Sequence, residues 1–69
     1  MCLAIPGRII KINGEEAVVD YETEKRRVNI SMTDAKVGDY VFVQNMFAIQ
    51  KIPEKEALEA LRLWKKMMK

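Results

Sequence analysis

Cys2 is the residue with the most distinctive chemistry in this sequence, because its thiol directly follows the first methionine. Cysteine is small enough for that methionine to be removed, which would place a thiol and an α-amine on one residue. The adjacent ammonium favours the thiolate, which is the nucleophile and the metal ligand. Sulfur and nitrogen could together bind one ion, and a soft thiolate suits iron better than magnesium or calcium.

The alternative interpretation of Cys2 is structural. A free cysteine most often behaves as a small buried hydrophobic residue. The position of Cys2 at the chain terminus favours exposure instead, because first residues fray unless they are tied down. We therefore treat Cys2 as a candidate docking residue and a candidate metal ligand.

Pro6 and Gly7 follow a short apolar run made of Leu3, Ala4 and Ile5. A proline followed by glycine bends the chain, and the fixed φ of proline sets the direction in which the preceding residues leave. We interpret the pair as the base of a stiff arm that presents Cys2. The alternative is an ordinary turn before a strand.

The composition excludes several classes of function. The chain has 69 residues, no histidine and a single cysteine, so Cys-His and Ser-His catalysis, imidazole-based zinc sites and an internal disulfide are all excluded. A lone thiol with no base predicts that the protein is not an enzyme. No run approaches the eighteen apolar residues of a membrane span, and no secretory signal is present, so we expect a cytoplasmic protein.

Alternating apolar residues and turn signals predict five short strands. We place them at 8–12, 16–22, 27–30, 40–44 and 47–52, with the first hairpin turning at Asn13-Gly14. In the loop between the third and fourth strands, Thr33-Asp34 could cap one helical turn and Gly38-Asp39 could form a turn. The last two strands could equally be one ribbon interrupted by a bulge.

The segment 53–69 is predicted to be an amphipathic helix. Pro53 ends the last strand and suits the first helical position. One stripe at helical spacing consists of Ala57, Leu58, Leu61, Trp64 and Met68. Five strands followed by a helix predict a mainly β fold, a small five-stranded OB-like β-barrel with a C-terminal helix. We predict one domain over residues 1–69, with the barrel at 1–52 and the helix at 53–69.

The sequence resembles the HypC/HupF family of hydrogenase-assembly chaperones, which open with Met-Cys, aliphatic residues and Pro-Gly. Met1-Cys2-Leu3-Ala4-Ile5-Pro6-Gly7 matches that opening throughout. Val37-Gly38-Asp39-Tyr40-Val41, leading to Phe47-Ala48-Ile49, is similar to the family's second signature. Glu54-Lys55-Glu56-Ala57 resembles the start of its helix, so the likeness covers nearly the whole chain.

The resemblance implies a non-enzymatic partner of the iron-sulfur maturation protein HypD and of the nickel-iron hydrogenase large-subunit precursor. The family's cargo is an iron that carries cyanide and carbon monoxide, Fe(CN)2CO, held transiently rather than as a tight cofactor. By position, the family's essential cysteine is Cys2, whose thiolate would bind the iron fragment or dock to a partner cysteine or cluster. The resemblance implies neither a nucleic acid nor a membrane as partner.

One departure from the family pattern concerns a histidine. The family reads Val-His-x-Gly-Phe-Ala where this chain has Val43 to Ala48, so Gln44 replaces the histidine and Met46 replaces the glycine. An amide oxygen is a poor substitute for imidazole at iron. The departure therefore removes the second family ligand while leaving docking through Cys2 unaffected, and it predicts a different turn at Met46.

The other candidate residues favour structural interpretations. Trp64, Met67 and Met68 could form a partner surface, yet such a stripe usually packs into a core. Lys25-Arg26-Arg27 could contact phosphate, which would make the chain a nucleic-acid-binding barrel, but three basic residues beside acidic ones usually form a solvated hairpin tip. The net charge of +2 also argues against nucleic acid.

Overall fold

The computed structural model describes residues 5–67 as a closed five-stranded barrel followed by one helix. The strands are β1 (Gly7–Asn13), β2 (Glu16–Asp20), β3 (Lys25–Asn29), β4 (Tyr40–Gln44) and β5 (Phe47–Ile52), and the helix is α1 (Glu54–Met67). They are arranged around the barrel in the order β1-β2-β3-β5-β4. The predicted mainly β, OB-like fold with a C-terminal helix is confirmed.

The barrel interior is filled by small and β-branched side chains from all five strands and from the loop between β3 and β4. In β2 the buried residues alternate with less buried ones, because successive side chains of a strand turn to opposite faces. The buried cluster consists of Ile9, Ala17, Val19, Val28, Ile30, Ala35, Val41 and Ala48. Ile12, Tyr21 and Val43 pack against it from the barrel ends.

The first hairpin lies one residue later than the sequence predicted. Asn13 still pairs with Glu16, so the two-residue turn is Gly14-Glu15 rather than Asn13-Gly14. Gly14 supplies the positive φ of 65° that the turn needs. Asn13 therefore completes β1 instead of entering the turn.

The second strand is shorter than predicted, because the chain turns at Asp20 rather than at Glu22. The Glu22 N–H donates to Asp20 Oδ1 over 2.8 Å, and the Tyr21 N–H donates to the Glu24 carbonyl over 2.9 Å. Glu22 also adopts a φ of 77°, which a strand ladder cannot accommodate. The next strand begins at once at Lys25, which pairs with Asp20.

The predicted helical turn near Thr33-Asp34 is wrong. Thr33 Oγ1 instead accepts a hydrogen bond from the Ala35 N–H over 3.1 Å, so the side chain closes a local turn without starting a helix.

The predicted turn near Gly38-Asp39 is present, and the Asp39 N–H donates to the Lys36 carbonyl. Bonds from the Gly38 N–H to the Ile9 carbonyl and from the Ile9 N–H to the Asp39 carbonyl tie this loop to β1.

Two strands, not one bulged ribbon, form the end of the barrel. Gln44 pairs with Phe47 across a two-residue turn, Asn45-Met46, whose φ angles are 53° and 67°. Positive φ at both central residues is the signature of a type I′ turn. A bulge is present as well, but it lies within the ladder, between Phe42 and Val43.

The helix contacts the barrel along a narrower line than its sequence predicted. Glu54 is the first helical residue, and the Pro53 carbonyl accepts the Ala57 N–H over 3.0 Å, so Pro53 precedes the helix rather than occupying its first position. Ala57 and Leu61 are buried, whereas Leu58 is 48% exposed. Placing Leu58 on the buried stripe was therefore wrong; Met68 lies outside the described residues.

Charges complete the helix at both ends. Acidic residues occupy the first turn of the helix, and Lys65 and Lys66 occupy the last. Each of these charges interacts favourably with the helix dipole and stabilises the helix by about 0.3–1 kcal/mol. The Lys65 ammonium lies 3.0 Å from Glu22 Oε1 on the β2–β3 turn. This ion pair links the end of the helix to the barrel.

Gly7 occupies a position where no side chain fits. A Cβ there would overlap Val19 Cγ1 and would lie 2.9 Å from Cε1 of Tyr21. Val19 is fully buried, so it has no free space into which to move. We expect Gly7→Ala to lower the free energy of unfolding by about 1–3 kcal/mol, measured by urea denaturation.

The matched test of this clash is a double-mutant cycle with Val19→Ala. Truncation of Val19 removes the γ carbon that the new methyl group would meet, so the penalty of Gly7→Ala should be clearly smaller in that background. An equal penalty in both backgrounds would show that the overlap with Val19 is not its cause.

Met46 carries backbone strain that a glycine would not. Its φ of 67° costs a non-glycine residue about 1–2 kcal/mol, and its side chain is 67% exposed, so little packing depends on it. We expect Met46→Gly to raise the free energy of unfolding by about 0.5–1 kcal/mol after the greater freedom of glycine in the unfolded chain is subtracted. Met46→Ala keeps the strain and should give no gain; equal stabilisation by both substitutions would contradict the explanation.

Candidate functional site

Pro6 and Gly7, the predicted base of the N-terminal arm, are built into the barrel. Pro6 is fully buried, Gly7 is buried and begins β1, and Ile5 is half-buried. Gly7 also pairs with Val41 at the seam where β1 meets β4. Packing and strand pairing therefore both fix the position of Pro6 and Gly7 in the barrel.

Three of the predicted arm residues, Cys2, Leu3 and Ala4, lie outside the described residues. Three peptide units separate Cys2 from Ile5, and a chain of that length spans at most ~11 Å. Any partner bound at Cys2 must therefore approach the face of the barrel around Ile5. The predicted supporting residues Ile5, Pro6 and Gly7 lie together at that face.

A groove of about 710 Å³ begins at Ile5 and runs between β3, the β4–β5 turn and the helix. Its apolar and aromatic lining consists of Ile5, Tyr21, Val28, Val43, Met46 and Trp64. Its polar rim is formed by residues 23–27 and Asn45. The volume is in the range of ligand-binding clefts, which are likewise mostly apolar with a few polar groups at the edge.

The rim of the groove is basic. Arg26 Nε donates to Glu24 Oε2 over 2.7 Å, and both side chains remain substantially exposed, so the pair contributes little to stability. Lys25 and Arg27 form no ion pair with any residue in the range 5–67. These two cationic side chains are available to an acidic ligand.

Tyr21 forms part of the groove wall and also packs against the barrel core. Burial raises the pKa of its phenol above 10.0; nearby Arg26 opposes this rise and Glu24 adds to it. The phenol is therefore neutral at physiological pH. Its side chain adds an uncharged aromatic residue to the groove lining.

Two groups of residues lie in a different part of the structure from the one that the sequence predicted for them. Lys25-Arg26-Arg27 is a strand that lines the groove, not a hairpin tip, because the turn is completed before Lys25. Trp64 is half-buried against the groove, and Met67 is 66% exposed rather than packed in a core. The predicted third strand, 27–30, includes Arg27, but it omits Lys25 and Arg26 and adds Ile30, which lies beyond the end of β3. Nothing in the sequence places Trp64 opposite this strand.

Gln44, at the position of the family histidine, is exposed at the end of β4. Its neighbours Val43 and Asn45 line the groove, whereas Gln44 does not. Between residues 5 and 67, no three acidic, histidine or cysteine side chains are grouped as a metal site would require. The helix seen in that range is also too short and too polar to cross a membrane.

Comparison with known proteins gives a consistent assignment. The sequence profile of the HupF/HypC family matches residues 1–64. The hydrogenase maturation factor HypC of Cupriavidus necator is 42% identical over 66 residues, which cover 93% of this chain and 73% of the relative. The protein of the same name from Azotobacter chroococcum is 43% identical over 65 residues, covering 91% and 77%.

A third relative, the hydrogenase maturation factor HypC of Escherichia coli K12, is 34% identical over 68 residues, covering 88% of this chain and 76% of the relative. The matched residues of the family profile include the Met1 to Gly7 opening, the buried base of the arm and most of the helix. The chain belongs to the HupF/HypC family.

Proposed function

We propose that this protein is a hydrogenase maturation chaperone. In this proposal it binds HypD and the precursor of the nickel-iron hydrogenase large subunit, and it helps to assemble or deliver the Fe(CN)2CO fragment through Cys2. The observation that carries the proposal is membership of the HupF/HypC family, whose relatives are named hydrogenase maturation factors. The complete Met1 to Gly7 opening lies within the matched span.

Cys2 supplies the chemistry in this proposal. Its thiolate is a soft donor that suits iron, and after loss of Met1 its α-amine would be a second donor on the same residue. The iron fragment is cargo, so it needs to be held and then released. One cysteine suits that purpose better than a closed cage of protein ligands would, since fewer bonds must break at transfer.

The buried base of the arm supplies the positioning. Pro6 has a fixed φ and is fully buried, and Gly7 is packed against Val19 and Tyr21. A bound partner would thus meet an arm with a defined origin beside the groove. Because ordering that origin costs nothing at the moment of binding, more of the contact free energy remains available for affinity.

Gln44 limits the ligands that this chain can offer to iron. The amide is exposed, does not line the groove and is a poor iron ligand. We propose that any further iron ligands come from the partner or from the cyanide and carbon monoxide. We also propose that the protein works in the cytoplasm and has no catalytic activity of its own, since it has one thiol and no histidine to act as base.

Substitution of Cys2 tests this proposal. We expect Cys2→Ala to bind HypD and the hydrogenase precursor at least tenfold more weakly, and to fail to restore hydrogenase activity in a strain that lacks its own chaperone of this family. Affinities can be measured by calorimetry with purified partners, and iron in the complex with HypD by elemental analysis. The reason is loss of the only thiolate in the chain.

The matched control for Cys2→Ala is Gln44→Ala. It removes an exposed polar side chain near the family histidine position and should leave affinity, iron content and maturation unchanged. Full affinity and full maturation with Cys2→Ala would overturn the proposed function. Loss of iron with Gln44→Ala would show that the amide is a ligand after all.

Processing of the N-terminus can be tested separately. We expect the protein purified from its native host to have the intact mass of the chain without Met1, because Cys2 is small enough for that methionine to be removed. Intact-mass spectrometry checks this directly, with and without HypD. A chain that keeps Met1 would leave the Cys2 thiolate as donor and exclude the α-amine.

A further inference from the structure

The least paired seam of the barrel lies between β3 and β5. The two strands run parallel and are joined by a single bridge, Asn29 with Phe47. Since β5 begins at Phe47 and runs on past the end of β3, the earlier residues of β3 extend beyond it. Residues 25–28 therefore pair with β2 on one side and face the groove on the other.

The direction of the backbone groups along this edge follows from two hydrogen bonds. The Asn29 N–H donates to the Met46 carbonyl over 2.8 Å, toward the seam, while the Ile30 N–H donates to the Glu15 carbonyl over 2.8 Å, toward β2. Backbone groups alternate in direction along a strand. The N–H and C=O of Arg27 and of Lys25 accordingly point toward the open side.

An edge with unpaired donors and acceptors in extended geometry is a template for another strand. Here that edge borders a groove whose other wall carries Trp64 and whose near end is Ile5. An added strand would point alternate side chains at this apolar lining and the others at the basic rim. The geometry thus combines backbone recognition with places for two kinds of side chain.

We propose that the open edge of β3, between Lys25 and Val28, binds an extended segment of a partner protein in which apolar and acidic residues alternate. Its backbone adds a strand to β3, its apolar side chains contact Val43 and Trp64, and its carboxylates pair with Lys25 and Arg27. Both cations are without an ion pair among the residues 5–67. This docking site does not rest on Cys2 or on the proposed function.

A peptide fits this site better than a nucleic acid does. The net charge of the chain is only +2, and Arg26, one of the three cations at the groove, is already paired with Glu24. The strand edge offers alternating backbone donors and acceptors, which match another peptide backbone. Three cations cannot supply the counterion release on which nucleic-acid affinity depends.

The test is an NMR titration of the full ¹⁵N-labelled chain with a capped five-residue peptide in which valine alternates with glutamate. We expect shifts of the Arg27 and Lys25 amides and of the Trp64 indole, together with slower hydrogen exchange of the Arg27 amide. A peptide with lysine in place of glutamate should bind at least tenfold more weakly. A peptide methylated at every backbone nitrogen should not bind, because it cannot form the ladder.

Two substitutions at one position separate the backbone from the side chain. Arg27→Ala removes the charge and keeps the outward N–H, whereas Arg27→Pro removes both without breaking a bond to β2. We expect Arg27→Pro to bind the acidic peptide about three- to tenfold more weakly than Arg27→Ala, which corresponds to the loss of one hydrogen bond. Lys36→Glu, a charge reversal outside the groove, should leave binding unchanged.

Several outcomes would overturn this docking site. The first is that the groove amides do not shift at millimolar concentrations of the acidic peptide. The second is that the methylated peptide binds as tightly as the unmethylated one. The third is that a uridine decamer binds at the groove with steep salt dependence while the peptide does not bind. The methylated peptide keeps the test valid even if Arg27→Pro does not fold. Repeating the titration with Cys2→Ser should give the same affinity, so failure of this site and failure of the Cys2 proposal can be told apart.

Discussion

The close approach of Gly7 to Val19 and Tyr21 is the contact on which the rest of this structure depends. It lets β1 reach the seam with β4, where Gly7 pairs with Val41, and so allows five short strands to close. The same contact holds the Tyr21 ring between the core and the groove. Closure matters in a chain this short, because a small domain buries only a modest share of its surface and needs its backbone groups paired.

Neighbouring strands of the barrel are not all paired to the same extent, and the groove lies where the pairing is poorest. The β1–β2, β2–β3 and β4–β5 ladders each join five residue pairs, whereas β3 and β5 share one. The helix leaves the open edge of β3 uncovered. It buries Ala57 and Leu61, and its Trp64 lines the groove. Exposed Leu58 and Met67 show that the helix is only partly packed in the isolated chain. The least paired part of the fold is thus next to the base of the N-terminal arm.

The proposed function and the proposed docking site assign different tasks to different parts of the chain. In the proposed function Cys2 binds the iron fragment through its thiolate, four residues before the buried Pro6. Recognition would belong to folded surfaces, which select a partner by shape, charge and backbone geometry. The replacement of the family histidine by Gln44 is consistent with such a division, since the exposed amide lies off the groove.

The sequence by itself determined the fold class, the number of strands, the β4 and β5 bounds and the family. Those features depend on local periodicity, on Pro53 as a stop and on motif residues that are close together in the chain. It also singled out Pro6 and Gly7, which are buried where β1 begins, while their role as the base of an arm stays a prediction. Local signals misplaced the first turn by one residue, overextended β2 and suggested a helical turn at Thr33-Asp34, because hydrogen bonds of Asp20 and Thr33 outweighed periodicity there.

Only the tertiary structure decided which surfaces face one another. The clash that excludes a side chain at Gly7 involves Val19 and Tyr21, which no spacing rule connects to it. The groove brings Arg27 and Trp64 to one site although they are far apart in sequence, and its open edge exists because β5 begins too late to pair with Lys25. The physical reason is that barrel closure sets strand register globally, whereas propensity and periodicity act over only a few residues.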